Sequence, residues 1–349
     1  MEELLRSWIE ALPWNSSPLM AWSVLLGSIV VSLAVIGKAA DWLVEEAVAL
    51  SERSGIPKSV IGATVVSLGT TTPEMAVSVL AALKGSPGLA LGNAVGSIIC
   101  DTGLILGIAC LIAPLPLHPS IINRQSRMQI WAGFLLVAAC WPWTAPGEVF
   151  TSGGYLPQWM GFVFLALLVG YLWQSVRWAR IERDGVHLEE LEVDVAASTA
   201  WIAAKLVVAI VLVIASSYVL IPCVREAAVR LNVPEGIIAA TLVAFGTSLP
   251  ELVTAVTAAR HGHGDLAVGN IVGADILNVL FVSGAAAAVT RQGLHATPDF
   301  FRVLFPAMLV VLVVLRVGIL RSGDRLKWPF GVVLVVIYIV ATLASYLAT

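Results

Sequence analysis

The chain is written in long apolar runs separated by short polar breaks. Ten such runs stand at about 20 to 47, 59 to 83, 87 to 113, 127 to 145, 155 to 177, 201 to 224, 235 to 259, 265 to 290, 300 to 319 and 328 to 347. A helix crosses about 30 Å of hydrocarbon with roughly 20 apolar residues, so each run predicts one membrane crossing. The one sustained polar stretch, Arg180 to Asp194 (RIERDGVHLEELEVD), falls between the fifth and sixth runs. It predicts a first five-helix half at 1–179, a linker at 180–200 and a second half at 201–349.

The two halves repeat one another. Segment 57–107 aligns without a gap on 234–284, so that GTTTPE falls on GTSLPE and GNAVGSIICD on GNIVGADILN. Pro57/Pro234, Thr64/Thr241, Gly69/Gly246, Glu74/Glu251, Asn93/Asn270 and Asp101/Asn278 all differ by 177 positions. Hydrophobic bias does not supply Pro, Glu, Asn and Gly in register, which points to duplication. Five crossings per half is an odd number, so the second copy must enter the membrane from the opposite side. The predicted fold class is therefore all-α integral membrane, ten transmembrane helices as two inverted five-helix repeats. That symmetry is a transporter's.

Composition sharpens this picture. The chain is 58% hydrophobic and 12% charged, where soluble domains carry about 25% charge. Its mean hydropathy is +0.91. Lipid is its main solvent. The net charge of −3 and the lack of a Lys/Arg run offer no surface for nucleic acid. The opening MEELLRSWIEALPW lacks a basic n-region and reads as an amphipathic terminus that is not cleaved. With the N-terminus outside, Lys and Arg divide thirteen to six in favour of the inner loops, Lys205 lying within a span. The positive-inside rule then predicts a plasma (inner) membrane protein with both termini outside and a cytoplasmic linker. The four cysteines, Cys100, Cys110, Cys140 and Cys223, lie in apolar runs without ligand spacing and read as buried small hydrophobes.

The candidate chemistry sits where a membrane helix should be plain. Pro73 and Pro250 each break a helix near mid-span, because proline lacks the amide donor and clashes with the preceding turn. Carbonyls around Gly69 and Gly246 are thereby released. Thr70 and Thr71 precede Glu74 by four and three residues, and Thr247 and Ser248 precede Glu251 in the same way, so hydroxyls and carboxylate share a face. On the third and eighth runs Asn93, Ser97 and Asp101, and Asn270, Ala274 and Asn278, recur every four residues. Gly92, Gly96, Gly269 and Gly273 beside them allow close helix approach. An acid at that depth costs about 2.5–3.5 kcal/mol on insertion scales, and Glu74, Glu251 and Asp101 have no Lys or Arg nearby in their own helices. Hard oxygen donors of this kind suit Ca2+, and no His or Cys set suits a softer metal.

The paired motifs GTxxPE and GNxxGSxIxx(D/N) resemble the α-repeats of the sodium/calcium exchanger branch of the cation/calcium antiporter superfamily, over nearly the whole chain. The resemblance implies a secondary-active antiporter, not an enzyme, that needs no cofactor and moves Ca2+ against Na+ by alternating access, with the first and sixth helices moving. Its partners would be the transported cations and the lipid bilayer. It implies that Glu74 and Glu251 coordinate Ca2+ and Na+, that Thr70, Thr71, Thr247, Ser248 and Ser97 add hydroxyl or backbone oxygens, and that Ser67 and Ala244 add carbonyls. Asp101 and Asn278 fill the remaining corners, with Asn93 and Asn270 behind them. This chain departs from the prokaryotic pattern twice. Its Asp and Asn are exchanged between the repeats, and Ala274 stands where the family has Ser. The second departure removes one Na+ ligand and keeps open a proton-coupled divalent (Ca2+ or Mg2+) antiporter, with a cation channel as the outsider.

Other polar residues read as structural. Asp41, Glu45, Glu46, Arg225 and Glu226 are expected at solvated helix ends, and His261 and His263 in a short loop. Asp275 is turned about 100° from the ligand stripe and is expected to face a loop or solvent, outside the site. No P-loop, nucleophile elbow or HExxH is present.

Overall fold

The computed structural model describes residues 7–9, 11–14, 16–117, 119–185, 198–231 and 247–348. They form an essentially all-α membrane fold. Helix α1 (Pro18–Ser54) starts on Pro18, whose fixed φ suits a first helical turn, and stops at Gly55 with φ 65°. A broken pair follows, α2 (Lys58–Thr70) and α3 (Thr72–Leu83), bent by 41°. Then come α4 (Pro87–Ile112), α5 (Pro119–Cys140), α6 (Gln158–Gly185), α7 (Thr199–Arg230), α8 (Leu249–Arg260), α9 (Gly264–Val289), α10 (Phe300–Ser322) and α11 (Trp328–Ala348). Seven of the described helices are long and apolar enough to cross a bilayer, or eight with the bent pair as one span.

Two boundaries differ from expectation. The fourth run, expected at 127–145, is a helix at Pro119–Cys140. Its first turns carry Gln125, Ser126 and Gln129, buried polar residues that lower the hydropathy but pack against protein rather than lipid. Helix α6 continues to Gly185, so the expected linker begins as helix. The N-terminal part of the seventh run lies at 232–246, outside the described residues, with Ala244 among them.

The halves interlock. Strand β1 (Leu115–Pro116), after α4, pairs with β4 (Arg325–Leu326), before α11. Strand β2 (Gly154–Leu156), before α6, pairs with β3 (Leu294–Ala296), after α9. Each ribbon thus joins the end of one half's third run to the start of the other half's fifth. Helix packing follows the same exchange: a Cβ on Gly331 of α11 would meet the Gly107 carbonyl at 2.9 Å, and one on Gly161 of α6 would meet the Gly284 carbonyl at 2.7 Å. Backbones approach closely wherever lipid supplies no hydrophobic drive to hold helices together.

Helices α4 and α9 are largely buried, whereas α1, α6 and α11 expose most of their surface. Leu19, Val30, Val31, Val169 and Trp328 lie on that outer face. The two longest helices, α1 and α7, pack along each other. Between them Lys205 Nζ lies 2.5 Å from Glu46 Oε1, which also accepts from Trp42 Nε1 at 3.1 Å. Glu46 is therefore not at a solvated end but buried, because Lys205 on the neighbouring helix supplies its counter-charge. Glu45 is exposed and Glu226 pairs with Arg230 at 2.7 Å near the surface.

Candidate functional site

Three of the four π-helical stretches among the described residues lie in the repeated segments, the fourth being Phe300–Leu304 of α10. Gly62–Val66 in α2, Ile99–Ile105 in α4 and Asn278–Ser283 in α9 are π-helical, a wider winding that recurs at functional sites. Asp101 stands in the second of these and Asn278 opens the third, so the wide turns occupy corresponding positions of the two repeats. Pro73 lies in the first turn of α3, just past the break at Thr71. The Ser67 carbonyl, expected free, accepts from Thr71 N at 2.9 Å and from Thr70 Oγ1 at 3.4 Å. A carbonyl has two lone pairs, but this one is not wholly released.

Close backbone contact brings α2 against α9. A Cβ on Gly273 would sit 2.5 Å from Ala63 Cα, so any larger residue there would force the helices apart. Glu74 and Glu251 are each 1% exposed, as is Asp101, and Glu74 lies within electrostatic reach of both other acids. Thr71 Oγ1 donates to Glu251 Oε1 at 3.3 Å, across the two halves. Asn278 Nδ2 donates to Asp101 Oδ2 at 3.4 Å, joining the two swapped corners. Thr247 Oγ1 donates to Asn93 Oδ1 at 3.4 Å. Asn93 in turn donates to the Glu74 carbonyl at 3.3 Å and to Ser78 Oγ at 3.0 Å, which ties α4 to α3. Ser97 and Ser248 are buried within the same layer of helices.

The oxygens left over are informative. Both carboxylate oxygens of Glu74, Oε2 of Glu251, Oδ1 of Asp101, Oδ1 of Asn278, Oγ of Ser248 and both amide atoms of Asn270 are buried without a hydrogen-bond partner among the described residues. None of the three acids forms an ion pair among those residues. Buried oxygens in such number are costly unless something cationic satisfies them. Among the described residues no three acid, His or Cys side chains close into a metal cage of their own. A cation held here must therefore draw on amide, hydroxyl and carbonyl oxygens as well, a donor set fit for a hard ion that is bound and released.

Asp275, like Glu46, departs from the sequence expectation. Asp275 faces neither loop nor solvent: it is 1% exposed, accepts from Thr102 Oγ1 in a short hydrogen bond and from Gln129 Nε2 at 2.6 Å. Helix α5 covers the side of α9 that a helical wheel leaves open. Gln129 and Thr102 lie outside the sequence candidates, although an amide within the fourth run is a readable signal. Tyr171 of α6, also overlooked, donates to the Ala63 carbonyl at 3.0 Å within the π-helical stretch of α2.

Buried acids on broken, crossing helices in a lipid-facing bundle define a membrane cation transporter. The family model of the sodium/calcium exchanger protein matches residues 24–177 and 201–347. The inner membrane protein YrbG of Escherichia coli is 30% identical over 311 residues, covering 86% of this chain and 94% of YrbG. The sodium/calcium exchanger MaX1 of Methanosarcina acetivorans is 26% identical over 340 residues, 89% of this chain and 95% of MaX1. In fold, the chain superposes on the sodium-calcium exchanger NCX_Mj, soaked with zero Na+ and Ca2+, with a TM-score of 0.75 at 23% identity, covering 92% of this chain and 98% of the other. The chain belongs to the sodium/calcium exchanger family, whose members are membrane cation antiporters.

Proposed function

We propose that the protein exchanges Ca2+ for Na+ by alternating access at one mid-membrane site built on Glu74, Glu251 and Asp101. The observation that carries this reading is the set of three buried carboxylates in mutual electrostatic reach with no ion pair among the described residues. Three like charges in a low-dielectric interior repel strongly and call for compensation. One Ca2+ neutralises two of them, and Na+ ions can do so in its place. An empty site leaves the charges bare, so crossing between inward and outward states is favoured only when cations are bound. Exchange without ATP follows. Around the acids, Asn278, Thr70, Thr71, Thr247, Ser248, Ser97 and the carbonyls of Ser67 and Ala244 complete the ligand set, with Asn93 and Asn270 behind them.

The frame for this cycle is ten crossings in two inverted halves, 1–179 and 201–349. The crosswise pairing of β1 with β4 and of β2 with β3 supports it. Both termini lie outside a plasma (inner) membrane and the linker lies inside. Helices α1 and α7, joined by Lys205 and Glu46, move together across the core. The name of MaX1 as a sodium/calcium exchanger supports Na+ as the counter-ion. Proton coupling is the second reading, favoured by Ala274, a fully buried residue without the hydroxyl expected at that position.

The test is Ca2+ uptake into proteoliposomes loaded with Na+ and diluted into Na+-free buffer, beside a set carrying only a pH gradient. Uptake is expected with the Na+ gradient and is expected to vanish in Glu74→Gln and in Glu251→Gln. Wild-type flux in either variant refutes the site, and uptake driven by the pH gradient alone refutes Na+ as counter-ion.

A further inference from the structure

Beyond the three acids of the exchange site, a fourth carboxylate lies in the bundle without a charged partner. Asp275 on α9 receives two donors on the same oxygen, Oδ2: Thr102 Oγ1 from α4 and Gln129 Nε2 from α5, the latter at 2.6 Å. Gln129 Nε2 also lies 3.3 Å from Thr102 Oγ1, so the three side chains form one closed group. All three are 1% exposed or less. Both donors converge on one oxygen, which accepts them through its two lone pairs. Its other oxygen, Oδ1, has no partner among the described residues, and neither has Oε1 of Gln129. Gln125, one turn earlier on α5 and fully buried, leaves both amide atoms unpartnered as well. A carboxylate half satisfied, held by Gln129 whose Oε1 is idle and within electrostatic reach of Asp101, lacks a cation.

We propose that Asp275, Thr102 and Gln129 form a second cation site beside the exchange site, and that it takes Na+. The charge of the donor set selects the ion: one carboxylate with neutral hydroxyl and amide oxygens balances a single positive charge, while a divalent ion would leave one charge buried and bare. Repeat symmetry gives this site no twin. At the offset of 177, Asp275 corresponds to Ile98 and Thr102 to Val279, neither of which offers an oxygen from its side chain. The site's contribution to exchange rests on the antiporter reading above, but its occupancy does not.

Equilibrium binding of radioactive Na+ to the purified full chain in detergent tests this, in the Glu74→Gln/Glu251→Gln background that weakens the exchange site. About one Na+ per chain is expected to remain there, to be lost when Asp275→Asn is added, and to bind about tenfold more weakly with Thr102→Val, which removes a hydrogen bond to the carboxylate but keeps the charge. Absence of Na+ from the double variant, undiminished binding after Asp275→Asn, or an unchanged affinity in Thr102→Val overturns the proposal. If the Asp275→Asn protein does not fold, the Thr102→Val affinity decides. Radioactive Ca2+ binding to the same samples separates the two readings: Ca2+ still bound by the double variant sinks the exchange site, and leaves the Na+ result at Asp275 to stand or fall alone.

Discussion

Removing Lys205 is predicted to cost more than removing its partner Glu46, although the two share one ion pair. At 2.5 Å and an effective dielectric of about 20, the gross attraction is roughly 6–7 kcal/mol, most of which offsets desolvation. The side chains differ in what they face afterwards. Glu46 is 8% exposed, so Lys205→Met strands an anion whose one remaining partner in that pair of contacts is Trp42 Nε1 at 3.1 Å. Stranding a buried charge costs about 3–5 kcal/mol, and the lower end applies because Trp42 stays. Lys205 is 27% exposed and its long stem can carry the ammonium to water, so Glu46→Gln should cost about 1 kcal/mol. With both replaced no charge is stranded, and the double variant should fall within about 1 kcal/mol of wild type. The cycle then gives a coupling of about 3–5 kcal/mol. Unfolding in mixed micelles titrated with a denaturing detergent measures all four proteins. Equal losses for the two single variants, or losses that simply add, would refute the claim that α1 and α7 are joined by a desolvated pair.

Two further outcomes follow from single positions. Ala274→Ser restores the hydroxyl expected at a fully buried position and should lower the half-saturating Na+ concentration for Ca2+ exchange several-fold; an unchanged Na+ response removes that residue from the Na+ account. His263, in the loop between α8 and α9, has its pKa held below the ordinary 6.5 by partial burial first and by the neighbouring Lys58 ammonium second, Nζ lying 3.2 Å from Nδ1. The unfolded chain binds that proton more readily, so the contribution of His263 to stability is present above pH 6.5 and falls as pH drops below it. Histidine NMR should show it titrating below 6.5 and moving upward in Lys58→Ala, and a value above 6.5 contradicts the contact.

The repeated motifs were legible because their residues are ones that lipid disfavours. Pro, Glu, Asn and Gly in register at an offset of 177 positions identify two copies whatever their packing, and the bend at Thr71 and the wide turns at Asp101 and Asn278 fall where those residues are. What the sequence could not convey is which helix meets which. Thr71 was read as a neighbour of Glu74 on its own helix, yet its hydroxyl reaches Glu251 in the other half. Glu46 looked like the polar end of a long helix until Lys205 was found beside it, 159 positions away.

Asp275 exposes the physical reason most clearly. A helical wheel assigns a residue turned 100° from the ligand stripe to the outside, which assumes that a helix has an outside. Helix α9 has none: every described side chain from Leu266 to Leu280 is buried. An acid on such a helix must meet another helix whichever way it points, and the polar row on α5 is what it meets. In a membrane bundle, then, a buried acid is judged by the polar residues available on all other runs and not by its angle to a motif. By that standard Gln129, an amide within the fourth run, is the partner to look for.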